Sequence, residues 1–169
     1  YAIRELDEYL AKYIGKYAFR ASILLRSEPD TPDRNIPIYG DEKEYFQRIY
    51  PDSVDLIDPD FKEKNVYKEV DSSEMIVSFG STVLREAFGW GKKVLYCDFS
   101  ESRTYTQYDP MIVFRENNYE AFEHRLNELR FENYDDYRVR TYDYACYLMN
   151  NDSHHPPHKI IRDKILQSL

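Results

Sequence analysis

The chain has 169 residues, 42 % hydrophobic and 32 % charged, enough to bury one sizeable core and too apolar for a disordered chain. A net charge of −8 at pH 7 argues against nucleic acid or an acidic membrane surface as the main partner, although local positive groups can still hold an anionic small ligand. No apolar run reaches the roughly 18 residues of a membrane span, and no secretory signal opens the sequence. It begins at Tyr1, without a Met and already in a helical pattern, as a piece of a longer protein would.

Ile3, Leu6, Leu10, Ile14 and Tyr17 fall on one face of a first predicted helix, with Gly15 weakening its end. Arg20 to Arg26 reads as a strand centred on Ile23, Leu24 and Leu25. A turn-rich loop of Glu28, Pro29, Asp30, Thr31, Pro32 and Asp33 follows at its carboxyl end. Asp41 to Ile49 reads as a short helix with Tyr45, Phe46 and Ile49 inward. Val54 to Ile57 is a second strand, Asp58 to Asp60 a turn, and Lys62 to Val70 a charged helix.

The segment Ser72 to Asp98 organises the rest. Met75 to Phe79 reads as a buried strand, and Ser81 and Thr82 stand where a helix begins. Leu84, Ala87 and Phe88 form that helix's apolar face, and Gly89 and Gly91 end it. Val94 to Cys97 is a further buried strand, so the unit predicts a parallel βαβ crossover. Beyond it come a polar loop from Phe99 to Asp109, a strand at Met111 to Phe114, and a helix capped by Asn117 or Asn118 with Phe122, Leu126 and Leu129 repeating. A tyrosine-rich helix follows at Tyr134 to Met149, then a break at Asn150 to Pro157 and a last helix at Ile160 to Leu166. Alternating strands and helices predict an α/β fold with a doubly wound parallel sheet, and the late helices are additions to it. The whole of 1–169 reads as one domain, with 133–169 as a C-terminal helical extension.

The turn at Gly80, Ser81 and Thr82 admits two accounts. A helix N-terminus offers unpaired N–H groups and the positive end of the helix dipole. With two hydroxyls and a glycine beside it, that end can seat a phosphate at the carboxyl edge of the sheet. Alternatively, Ser81 or Thr82 serves only as the helix N-cap. Glu86, four residues past Thr82, either accepts hydrogen bonds from a ribose or is an exposed helix residue.

The run from Asp71 to Tyr96 resembles the donor-binding segment of GT-B glycosyltransferases of the bacterial capsule and lipopolysaccharide type, and of the related UDP-sugar 2-epimerases. The residues that carry the resemblance are Val77, Ser78, Phe79, Gly80, Ser81 and Thr82, then Glu86 and Ala87, then Gly91, Lys92, Lys93 and Val94. The resemblance implies that the turn holds the diphosphate of a nucleotide-sugar and that Glu86 binds its ribose. Leu24, Leu25, Arg26, Ser27, Glu28 and Pro29 resemble the Arg-then-Pro strand end of polysaccharide glycosyltransferases, which implies Arg26 as a phosphate ligand; the alternative is a surface arginine paired with Glu28 or Asp30. Glu101 to Thr104 loosely matches a Thr-Glu-Arg segment of the epimerases, leaving Arg103 as a phosphate contact in an otherwise solvated loop. The chain departs from the pattern in four places: the epimerases have acidic residues at the positions of Phe79 and Arg85, the family has proline at Lys93, and a histidine usually precedes Pro29.

His154, His155 and His158 have helical spacing that could share a cation, but a full ligand set is missing, and no metal or cofactor is expected. Cys97 and Cys146 fall in predicted buried elements and read as free thiols of a reducing compartment. The seventeen tyrosines read as amphipathic packing, with carbohydrate contact as the alternative. No Ser-His-Asp triad, Walker loop or complete dinucleotide fingerprint is legible. The expectation is a cytoplasmic donor-binding domain, at the inner face of the membrane, that takes a nucleotide-sugar and works with an N-terminal domain and a carbohydrate or lipid-linked acceptor. The alternatives are a non-catalytic interaction module or a UDP-sugar 2-epimerase domain.

Overall fold

A computed structural model of the chain describes residues 2–25, 42–58, 65–100, 111–149 and 157–167. Within them the fold is mixed α/β, with seven helices and two small parallel sheets, of two and of three strands. The chain forms two compact units, Tyr1–Ser73 with Glu116–Glu123, and Glu74–Arg115 with His124–Leu169.

The first unit is built on α1 (Ala2–Tyr17), β1 (Ala21–Leu24), α2 (Glu42–Ile49), β2 (Val54–Ile57) and α3 (Asn65–Ser72). Leu6 and Ile14 are buried as their spacing predicts, and so is Tyr13. α1 runs straight through Gly15 and stops one turn later, where Ala18 takes a left-handed φ of 51°. β1 pairs parallel to β2 from Ala21–Val54 to Leu24–Ile57, and α2 lies in the connection between them, which a parallel pair requires. Ile14, Leu25, Tyr45, Phe46, Tyr50 and Val54 form the core of this unit. Tyr45 donates to the buried Asp7 carboxylate at 3.3 Å. Burial first, and Asp7 second, push its phenol up to about 12. The helix expected at Lys62 to Val70 is described from Asn65 and ends two residues later than expected, closed by the Ser73 N–H and hydroxyl on the Glu69 carbonyl at 3.0 and 2.6 Å. The start of α5 (Tyr119–Phe131) also belongs here, with Phe122 against Tyr9 and Tyr13 and Glu123 paired to Lys16 at 2.7 Å. Asn118 caps that helix by accepting the Ala121 N–H at 3.0 Å.

The second unit holds β3 (Met75–Ser78), α4 (Thr82–Gly89), β4 (Lys93–Cys97) and β5 (Val113–Phe114), then the rest of α5, α6 (Tyr134–Leu148) and α7 (Pro157–Gln167). β4 is the central strand of an all-parallel sheet ordered β3-β4-β5 and is buried along its whole length. This is the expected near-continuous apolar run of a strand covered on both faces. β5 is shorter than the strand expected at Met111 to Phe114. The Met111 carbonyl leaves the ladder to accept from Arg125 Nη2 at 2.6 Å, and only Val113 and Phe114 pair with β4. α4 ends in a Schellman motif: the Lys92 N–H reaches the Ala87 carbonyl at 3.0 Å and the Gly91 N–H that of Phe88 at 2.8 Å, with Gly91 at φ 80°. α6 packs on α4, and Tyr137, fully buried, accepts the Val94 N–H at 3.2 Å on its phenol oxygen. Asn133 caps α6 through the amides of Asp135 and Asp136.

One expectation is corrected here. Cys146 lies exposed on α6, not in a buried element, whereas Cys97 is buried in β4 and its thiol is pushed up by burial. Lys93, where the family pattern has proline, is buried at 2 % exposure and caps the end of α5. Its Nζ donates to the carbonyls of Glu132 at 2.7 Å and Arg130 at 3.4 Å. A proline at Lys93 would offer no such donor to the last carbonyls of a helix.

Candidate functional site

The β3–α4–β4 crossover places Gly80, Ser81 and Thr82 between the carboxyl end of β3 and the first turn of α4. Gly80 adopts φ 72°, a left-handed conformation that costs an ordinary residue roughly 1–2 kcal/mol. The glycine is therefore required by the backbone as well as suited to a close ligand approach. Ser81 occupies the N-cap position with extended φ −82° and ψ 135°, yet its side chain makes no capping hydrogen bond. Its carbonyl instead accepts the Leu84 N–H at 3.3 Å. The hydroxyl that the capping account would engage is thus not used for that purpose. Thr82 is exposed as the first helical residue.

Glu86 is half-buried one turn along α4. Side chains on a helix lean toward its N-terminus, so a residue four places after Thr82 inclines toward the same turn. Phe79, where the epimerases carry an acidic residue, stacks its ring on that of Tyr96 in β4, with centroids 6.4 Å apart and planes 15° from parallel. An aromatic partner on the neighbouring strand gives Phe79 a packing role at a position where the resemblance expected a charge. Arg26 and Arg103 lie outside the described residues, as do His154 and His155; His158 falls in the first turn of α7. Among the described residues no group of three or more His, Cys, Asp or Glu side chains is placed to hold a metal ion.

Sequence reasoning passed over Asp98. It lies just past the end of β4, on the same carboxyl edge of the sheet as the Gly80 turn, and is 1 % exposed. Its Oδ1 accepts the Ser100 N–H at 3.2 Å and the Ser100 hydroxyl, closing a tight turn, and its Oδ2 faces Arg115 Nε at 3.7 Å. Oδ2 has no hydrogen-bond donor within reach among the described residues, so the guanidinium charge is what offsets its burial. The signal was present as an acidic residue ending an apolar run, but its partner stands 17 positions on, where no local pattern points to it.

Among the described residues no helix is long and apolar enough to cross a membrane. Compared with protein-family models, curated proteins and solved structures, the chain gives no match.

Proposed function

We propose that this chain is the nucleotide-sugar-binding part of a GT-B type glycosyltransferase that builds a surface polysaccharide or glycolipid in the cytoplasm, at the inner face of the membrane. In this reading its strands belong to a doubly wound, Rossmann-like parallel sheet, 1–169 is one domain, and 133–169 is a helical extension. The observation that carries the proposal is the Gly80 turn. A left-handed glycine and a serine hydroxyl not engaged in capping stand together at the N-terminus of α4, in a parallel crossover. Open α/β sheets bind ligands at that edge, and helix N-termini attract phosphate.

The chemistry follows from charge. As the glycosidic bond breaks, the diphosphate leaving group gains negative charge. The first amides of α4, the hydroxyls of Ser81 and Thr82, and the guanidinium groups of Arg26 and Arg103 balance it. Glu86 accepts from the ribose hydroxyls. The acceptor and any base come from an N-terminal domain of the same protein, so the chain alone binds donor without turning it over, and no metal takes part. Arg85, where the epimerases carry a second acidic residue, favours glycosyl transfer over epimerisation.

Thermal unfolding with UDP, GDP, CMP and dTDP tests this. A nucleotide at about one hundred times its dissociation constant adds roughly 2.7 kcal/mol of stability. The expected result is a shift with one nucleotide, abolished by Ser81→Ala with Thr82→Ala. A shift that survives the double substitution places the ligand elsewhere. No shift with any nucleotide, here and in a longer chain carrying the preceding domain, rejects the proposal.

A further inference from the structure

The strands of the second unit run parallel in the order β3-β4-β5, so their carboxyl ends open on one edge. β3 leads there into the Gly80 turn, β4 into Asp98 and β5 into Arg115. The Asp98 N–H donates to the Phe114 carbonyl at 2.9 Å, which carries the ladder past the end of β4 and sets Asp98 beside Arg115. A buried anion and an exposed cation thus stand on the edge that the phosphate reading uses, and that reading employs neither.

Asp98 is built to hold a cation and not to meet a ligand. Its side chain is 0 % exposed, whereas that of Arg115 is 36 % exposed. The Ser100 amide, at 3.2 Å, and the Ser100 hydroxyl pin Oδ1, so the carboxylate cannot turn outward. Oδ2 is left with no hydrogen-bond donor, and the Arg115 guanidinium charge stands 3.7 Å away. Burying a charge in this way costs stability, and an apolar residue would close the sheet end at less cost. At 3.7 Å Nε is too far for a hydrogen bond, so charge orients the guanidinium without consuming its donors. Nε is the atom nearest Asp98, and among the described residues Nη1 and Nη2 make no hydrogen bond. A planar fork held at its root and open at its tip matches the oxygens of a phosphate.

We propose that Arg115 binds the second phosphate of the donor's diphosphate and that Asp98 is the positioning residue that holds it there, an assignment that rests on the phosphate reading of the Gly80 turn. Nε of Arg115 faces the residue that ends β4, so the side chain leans from β5 toward β3. Neighbouring strands lie about 4.8 Å apart, which sets β5 roughly 10 Å from β3, a span that an arginine side chain and a diphosphate fill together. The first amides of α4, with Ser81 and Thr82, hold one phosphate, and the Arg115 fork holds the other. A nucleoside monophosphate meets only the first of these. Arg115 is thereby the residue that makes the site prefer a diphosphate.

Calorimetry with UDP, GDP, CDP and dTDP, each against its monophosphate, tests this. For the base that binds, the wild type is expected to prefer the diphosphate. Arg115→Gln is expected to lower diphosphate affinity about 10- to 100-fold and to leave monophosphate affinity unchanged. Arg115→Lys, which keeps the charge and loses the fork, is expected to fall between the two. Asp98→Asn is expected to narrow the preference in the wild type and to change nothing in Arg115→Gln, since a positioning residue acts only through its partner. If Asp98→Asn fails to fold, the variants of the partly exposed Arg115 decide alone. A diphosphate that binds wild type and Arg115→Gln alike overturns the assignment of Arg115 and leaves the Gly80 turn standing. So does a wild type that binds both phosphates equally, or a variant that loses both together. Diphosphate binding that survives Ser81→Ala with Thr82→Ala overturns both assignments, as does no binding by the wild type here and in the longer chain.

Discussion

Tyr137 shows how a single polar atom can tie two elements together. Its ring is fully buried and its phenol oxygen accepts the Val94 N–H, an amide that would otherwise sit unpaired in the central strand. Burial raises its pKa from 10 to about 12, against the smaller opposing effect of the Val94 N–H. The unfolded chain therefore ionises this tyrosine first. Its stabilising contribution is complete below pH 10 and is lost as pH rises from 10 to about 12, by roughly 2–3 kcal/mol. Urea midpoints measured across that alkaline range should fall, and Tyr137→Phe should flatten the fall. At neutral pH the same substitution should cost about 1–2 kcal/mol, because the Val94 N–H loses its acceptor. An alkaline limb identical in wild type and Tyr137→Phe would refute the assignment. Residue-scale facts of this kind were hard to read in advance. Gly80 and Gly91 announced their turns because glycine is the residue that takes positive φ without cost. The partners of Tyr137, Lys93 and Asp98 lie 43, 39 and 17 positions away, and only the fold brings them close.

At the scale of elements, α4 is held by two glycines for different reasons. Gly91 needs its left-handed φ of 80° to complete the Schellman closure. Gly89 has ordinary helical backbone, but a Cβ there would collide with the Met149 side chain at the end of α6. Gly91→Ala should therefore cost about 1–2 kcal/mol through backbone strain. Gly89→Ala should cost about 1–3 kcal/mol through overpacking. Met149→Gly removes the Cβ that the new methyl would meet, so in that background Gly89→Ala should lose its cost while Gly91→Ala keeps it, as chemical denaturation would show; equal relief in both would contradict the distinction. Strands and helices were the most legible part of the sequence. The β2 range agrees in full, and the central crossover lies within a residue of its expected bounds, because strong apolar runs and glycine stops mark it. α6 was legible as a helix but not in its orientation. Tyrosines recur along it without a clear helical period, so no face stood out, and Cys146 was assigned to the interior although it is exposed.

For the molecule as a whole, its two thiols offer a simple reading of packing. In the folded chain a thiol reagent should label Cys146 and leave Cys97 untouched, since Cys97 is buried and its thiol is raised by that burial. Denaturant should then release Cys97. Mass spectrometry of the labelled chain checks both steps, and rapid labelling of Cys97 in the native state would contradict the buried central strand. Of the candidate site, the sequence made the Gly80 turn and Glu86 visible, since a strand, a glycine and a helix start are local features. It did not reveal that Ser81 leaves its hydroxyl out of the cap, which depends on backbone angles and not on residue type.

Lys93 carries one last consequence. Its amine is sealed from solvent and donates to backbone carbonyls at the end of α5. An acetyl or methyl group could reach it only in a chain already opened there, and an acetyl group would remove donors that the helix end uses. Modification found at this lysine would therefore be a record of past unfolding, a mark of damaged or unfinished molecules and not a regulatory signal on working ones.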